Sequence, residues 1–227
     1  MNFSQILSGV KKPFAAKDKT PGILMGLVVI SSLYFFLQSI IFMFIDNPWE
    51  SRKFLEFLED MSKFFGWVNK ISVLLMSVYM ILLYIKSKAP IFVSITALLI
   101  PAAFCVSGDN WYPTAFSVSG DTWYLISGVL LMIALLLPSL KKAKENRAYV
   151  LIAYAAYLIT LIFSQYILPE ITSEATENFC QALFYLIQAV EYLCIAVVVS
   201  MDTEACGGVA SMVVKFFANL GSKPTQQ

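Results

Sequence analysis

The chain has 227 residues, of which 59% are hydrophobic and 14% charged, with a formal net charge of +1 and a mean hydropathy of +0.73. A soluble domain of this size carries about 45–50% apolar and about 25% charged residues, so the solvent implied for this chain is lipid. The net charge by itself says nothing about nucleic acid, but no basic patch interleaved with aromatics appears and no nucleic-acid partner is expected, and the absence of histidine removes the usual haem ligand, the commonest zinc ligand and the usual general base near neutral pH.

Residues 1–21 precede the first apolar run and carry Phe3, Ile6, Leu7, Val10 and Phe14 as a weak amphipathic stripe, the pattern of a helix anchored at a membrane surface. A run of roughly 17–25 apolar residues crosses about 30 Å of hydrocarbon as a helix. Residues 22–200 hold six such candidates: Gly22–Ile45, Ile71–Ile85, Ile91–Val106, Trp123–Leu140, Tyr149–Leu168 and Ala182–Ser200. The first is far longer than a signal-peptide core and no small-residue cleavage site follows it, so it is expected to remain as a membrane helix. Between the first two spans, residues 47–65 read as an external amphipathic helix with Phe54, Phe57, Leu58, Met61, Phe64 and Phe65 at helical spacing. Asn47 is its expected cap, Pro48 suits its first position, Glu50 completes a capping box, and Gly66 is the expected stop. The second and third spans are the shortest, and Lys86-Ser87-Lys88-Ala89-Pro90 between them reads as the turn of a helical hairpin, with a re-entrant pair as the alternative.

Residues 103–126 contain a tandem duplication: AFCVSGDNWYPT (Ala103–Thr114) is followed by AFSVSGDTWYLI (Ala115–Ile126), identical at eight of twelve positions. Trp111, Tyr112, Trp123 and Tyr124 favour the membrane–water interface. The unit is read as a lengthened external loop, or as a small platform presenting Asp109 and Asp121 to a ligand or partner. In residues 201–227, Ala205-Cys206-Gly207-Gly208 reads as a joint leading into an amphipathic tail with Val213, Phe216, Phe217 and Leu220, suited to the membrane surface or to a partner's helix.

Charge placement sets the expected orientation. Lys11, Lys12, Lys17, Lys19, Lys86, Lys88, Lys141, Lys142, Lys144, Arg147, Lys215 and Lys223 fall on one face of a six-crossing bundle, twelve of the sixteen basic residues. The other face keeps Arg52, Lys53, Lys63 and Lys70 and ten of the fifteen acids, among them Asp109, Asp121, Glu170, Glu174 and Glu177. The positive-inside rule then puts both termini in the cytoplasm, with a bacterial inner (plasma) membrane as the expected location. The expected fold class is an all-α integral membrane protein of about six transmembrane helices with interfacial amphipathic helices.

Glu191 is the one acidic or basic side chain near the middle of an expected span. A carboxylate there costs at least a few kcal/mol and marks a functional candidate. Gln181, Tyr185, Gln188 and Tyr192 recur near the same helix face, and antiparallel geometry brings Glu191 to the depth of Tyr157, which starts a stripe with Thr160 and Ser164. Ser31, Tyr34 and Gln38 form a third stripe, and the three are expected to meet inside the bundle. Such a cluster serves either as interhelical glue, at about 0.6–2 kcal/mol per hydrogen bond, or as a proton or cation site on a transport path.

Cys105 and Cys180 fall near the external ends of their helices and are read as two separate thiols or as a disulfide in an oxidising space. Neither a zinc site nor any nucleophile, phosphate-binding or metalloprotease motif is present in the sequence, and no cofactor is expected. The expected function is non-catalytic: a scaffold, sensor or accessory subunit whose partners are the bilayer and a protein or a second copy of the chain. The alternative is a channel or small-solute transporter using Glu191, and the third reading a lipid-modifying enzyme using Asp109 or Asp121.

Overall fold

The computed structural model describes residues 3–45, 52–106, 147–162 and 170–221. These form seven helices: α1 (Phe3–Ala15), α2 (Thr20–Phe44), α3 (Arg52–Ser87), α4 (Pro90–Val106), α5 (Arg147–Ile162), α6 (Glu174–Met201) and α7 (Val209–Gly221). Thr20–Phe44, Glu56–Ser87 and Glu174–Met201 are each long and apolar enough to cross a membrane, and Pro90–Ile100, Ala148–Thr160 and Val209–Asn219 are shorter apolar helices. A backbone in hydrocarbon must satisfy its own polar groups, which a helix does without help from its neighbours. The described elements are all helical, and their length and apolar character are those of a helical membrane protein.

The helices close on one another. The most extensive contact is between α2 and α6; α3 packs on α2, α4 on α3, and α5 joins α4 back to α6. α2 and α3 run antiparallel, since Gln38 Nε2 donates to Ser62 Oγ while Tyr34 closes over Gly66, where a Cβ would sit 3.5 Å from the ring. α2 and α6 are also antiparallel. Phe42 stacks on Tyr185 with ring centroids 5.5 Å apart, Phe35 lies 6.3 Å from Tyr185 and 5.3 Å from Tyr192, and Ser32 Oγ donates to the Ala189 carbonyl at 3.4 Å. A core of Leu24, Met25, Val28, Met76, Met80, Phe92, Ile95 and Val199 fills the space between these elements. The start of α2, the ends of α3 and α6, and both amphipathic helices α1 and α7 gather at one end, here called the base.

The second expected span needs correction. α3 does not begin near Ile71 or stop at Gly66; it is one unbroken helix of 36 residues. Charged residues interrupt the hydropathy of this stretch from the exposed side, with Lys53, Glu56, Asp60 and Lys63 exposed, while Leu58, Ser62 and Asn69 are buried. Phe54, Phe57, Phe64 and Trp67 are exposed. Gly66 serves close approach to Tyr34 and not helix termination. The expected cap at Asn47, Pro48 and Glu50 lies outside the described residues.

α3 ends at Lys88, whose φ of 51° is left-handed, and whose N–H donates to Tyr84 O at 2.6 Å. Pro90 then opens α4, a position where its missing N–H costs nothing. α6 starts eight residues earlier than the apolar run from Ala182, and its first turn carries Glu174 and Glu177, which complement the positive end of the helix dipole. The fourth expected span, Trp123–Leu140, lies outside the described residues, as does all of the duplicated unit beyond the backbone of 103–106 at the end of α4.

Continuity of α3 through Gly66 is testable. A Cβ there meets only the Tyr34 ring, at 3.5–3.8 Å, ordinary contact distances. Gly66→Ala should therefore raise stability by about 0.5–1 kcal/mol, the usual gain for a mid-helix glycine, read as a higher melting temperature in detergent. A helix that stopped at this residue would instead lose stability on the same change.

Candidate functional site

The buried face of α6 runs through Ala182, Ala189, Glu191, Tyr192, Ile195, Val198 and Val199, while Phe179, Val190 and Leu193 lie exposed. Helical periodicity thus puts Glu191 on the inward arc, and it is only 2% exposed. Its Oε1 has no hydrogen-bond partner among the described residues, nor does Gln188 Oε1 one turn away. The same holds for both amide atoms of Asn69 and for Ser31 Oγ, and both of these residues are fully buried.

The four share a depth. The α2–α3 register that sets Gln38 against Ser62 and Tyr34 against Gly66 sets Ser31 against Asn69. On the other side of α2, the Ser32 bond to Ala189 O levels Gln188 and Glu191 with Ser31. A buried polar atom left without a partner costs about 1–3 kcal/mol, so a node of this kind stands out against the surrounding apolar core.

The expected stripes are arranged as follows. Tyr34 and Gln38 adjoin each other on α2, and Tyr185 reaches them from α6 through Phe35 and Phe42. Tyr157 of α5 packs with Ala153, Leu98 and Cys194, so α5 meets α6 one turn below Glu191. Thr160 Oγ1 donates to Tyr157 O at 2.7 Å within its own helix and makes no bridge to α6 there. Ser164 and the external Asp109, Trp111, Asp121 and Trp123 lie outside the described residues. Cys180 is a free, half-buried thiol, and the side chain of Cys105 lies outside the described residues. Asn69 escaped the sequence reading because it lies just ahead of the run beginning at Ile71, where hydropathy alone marks a helix end.

A second constellation, which no sequence motif announces, lies at the base. Asp18 Oδ1 accepts from the Thr20 N–H at 2.9 Å and from Thr20 Oγ1 at 2.8 Å, capping α2 from two residues ahead of its first turn. Asp18 Oδ2 accepts from the Gly208 N–H, and Thr20 Oγ1 accepts from the Ala210 N–H at 2.8 Å. The N-terminus of α7 is therefore capped by residues 190 positions away in the chain. Lys86 Nζ, from the end of α3, donates to Gly207 O at 2.5 Å. Gly208 takes a φ of 88°, so the backbone demands glycine, and a Cβ there would displace the Lys86 ammonium from its place in the clasp. Beside this clasp, a cleft of about 830 Å³ is lined by Lys12, Lys17, Asp18, Lys86, Asp202 and Glu204.

Burial pushes the Asp18 carboxyl up, but the bonds from Thr20 and Gly208 and the Lys86 charge outweigh it and hold the group below the usual carboxylate range. Its contribution to stability is present above the unfolded carboxylate value, about 3.9, and is lost as pH falls through the lower folded value. Cys206, fully buried at the turn before α7, has its thiol pushed up to about 12 by burial and by Asp202. Stability tied to that thiol is present below the ordinary value of about 8.5 and is lost as pH rises from there towards the folded value.

Two outcomes check the clasp. Asp18→Asn should lower the melting temperature at neutral pH, and its melting temperature should fall less than that of the native chain between about pH 5 and about pH 3. Cys206 should resist maleimide in the folded protein at neutral pH, and Asp18→Ala or Gly208→Ala should speed its labelling by about tenfold, corresponding to about 1.4 kcal/mol off the opening free energy.

No protein-family model, curated protein or solved structure matches the chain.

Proposed function

We propose that this chain is a non-catalytic polytopic membrane protein, a scaffold or accessory subunit that offers α7 to a protein partner at the base of the bundle. One observation carries this reading: the root of α7 is locked to the far end of the chain, with Val209 buried and Val213 packed on the core, while the outer apolar residues of the helix are uncovered among the described residues. Val214, Phe216 and Phe217 are 67%, 61% and 65% exposed. A helix held at its root loses little further freedom on docking, which lowers the entropic cost of association. A helix that merely lies on lipid has a strongly charged polar face. The only charged residue in α7 is Lys215, which favours a protein cover over a lipid one.

The proposed topology has six crossings with both termini in the cytoplasm, in a bacterial inner membrane. The base gathers Lys11, Lys12, Lys17, Lys19, Lys86, Lys88 and Lys215, the charge sign that the cytoplasmic side retains. α4 leaves the base, and α5 packs beside it. Tyr157 and Ala153 surround Leu98, while Val150, towards the start of α5, belongs to the cluster that holds Ile91 and Phe92 at the start of α4. Two neighbours running the same way need a return crossing between them, and the apolar run Trp123–Leu140 is long enough to supply it.

A photo-crosslinking residue at Phe217 in the native membrane tests the reading. A discrete protein adduct, lost on Phe216→Asp, is the expected result; adducts with lipid alone would overturn it. A second reading, a channel or transporter using Glu191, draws on the unpartnered carboxyl and amide oxygens of Glu191 and Gln188 in the interior. It requires that Glu191→Gln abolish solute flux into vesicles while leaving folding and assembly unchanged.

A further inference from the structure

We infer that Ser31, Asn69, Gln188 and Glu191 form a binding site for one monovalent alkali cation, with sodium as the probe ion. Three helices deliver these side chains to one depth, and each presents a buried oxygen without a hydrogen-bond partner among the described residues. The set is all oxygen: one carboxylate, two amide carbonyls and one hydroxyl. Hard cations take such ligands, and soft metals do not.

Charge selects the valence. Glu191 is the only charged side chain in the apolar stretches of α2, α4, α5 and α6. The nearest other charge by register is Lys70 on α3, whose ammonium lies 5.2 Å from the centroid of the Trp67 ring, away from the inward line of Ser62 and Asn69. A single positive charge therefore neutralises the node, whereas a divalent ion would leave an uncompensated charge in a low-dielectric interior. Among the described residues no group of three acids or thiols gathers as a divalent site would need. A proton on Glu191 would satisfy one acceptor and leave the others; a cation engages several oxygens at once. The titratable groups around the node are Tyr34 on α2, Lys70 on α3, Tyr154 and Tyr157 on α5, and Tyr185, Tyr192 and Cys194 on α6; α4 contributes none over Pro90–Ile100. The inference is independent of the scaffold reading, since a resident ion can be structural or transported.

The test is equilibrium binding of radiolabelled sodium to the full chain in detergent or nanodiscs, with melting followed in sodium chloride and in choline chloride at equal ionic strength. The expected result is saturable binding of one ion per chain and a melting temperature that climbs with the logarithm of sodium concentration, as mass action requires. Glu191→Gln should weaken binding by about 100-fold and Asn69→Ala by about tenfold, the sizes of roughly two lost ligand interactions and one. If Glu191→Gln fails to fold, Asn69→Ala and Ser31→Ala decide the matter alone. Absence of saturable alkali binding would overturn the site. So would stabilisation that follows pH while sodium, potassium and choline act alike, or binding that these variants leave unchanged. Binding without flux would retain the site and remove the transport reading.

Discussion

The contact between α2 and α6 is the one on which the rest of the bundle depends. In lipid, helices gain little from burying apolar surface, because the tails are as apolar as the side chains they replace; packing and interhelical polar contacts must hold them together. Here Phe35 stands between Tyr185 and Tyr192, and Phe42 stacks on Tyr185. Such ring pairs contribute about 0.5–1.5 kcal/mol each beyond area. Ala182 and Ala189 are fully or nearly buried in α6, and Ser32 bonds to the Ala189 carbonyl. Because α2 lies near the start of the chain and α6 near its end, antiparallel pairing of these two brings the ends together. The Asp18–Gly208 clasp is a consequence of that contact, not an independent fastening.

The same contact fixes what faces inward. Once Ser32 and Phe35 are engaged with α6, Ser31 is turned to the space between α3 and α6, and Gln38 is turned to α3, where Ser62 meets it. α3 answers with an inward line of Leu58, Ser62, Asn69, Val73, Met76 and Met80, all buried. Its charged residues are kept elsewhere: Lys63 pairs with Asp60 on the exposed side at 3.1 Å. An exposed pair of that kind contributes little. Its significance is positional, since it marks the side of α3 that the bundle does not use.

Legibility followed range in sequence. Apolar length marked α2 and α4 closely, and the end of α6, because a run of apolar residues and a helix in lipid are nearly the same statement. α3 was misread for a definite reason. Hydropathy averages over all faces, so the charged residues up to Lys70 set the start of the expected span at Ile71, although Ser62 and Asn69 within that stretch belong to the inward face. Gly66 looked like a stop for a related reason: a glycine can end a helix or admit a neighbour's ring, and only the position of Tyr34 decides which. Glu191 and Gln188 were legible as interior polar groups, because α6 is periodic enough to show its face; their companionship with Asn69 was not. The clasp was invisible, since Asp18, Thr20, Lys86 and Gly208 form no spacing pattern and meet only after the whole chain has folded.

The interior node and the base are parts of one mechanical element. From Glu174 to Met201, α6 contains neither glycine nor proline, and so has no sequence-encoded kink. Glu191 is eleven residues from Asp202, a rigid rod of about 16 Å at 1.5 Å per residue. At the lower end of that rod, the Cys206 N–H donates to Asp202 O at 3.0 Å and passes directly into the glycine joint held by Asp18 and Lys86. An ion drawing Glu191 and Gln188 towards Asn69 would pull on the rod at one end, and a partner seated on α7 would load it at the other. Because α2 contacts α6 along this length and also supplies Thr20 to the clasp and Ser31 to the node, neither end can shift without straining the same interface.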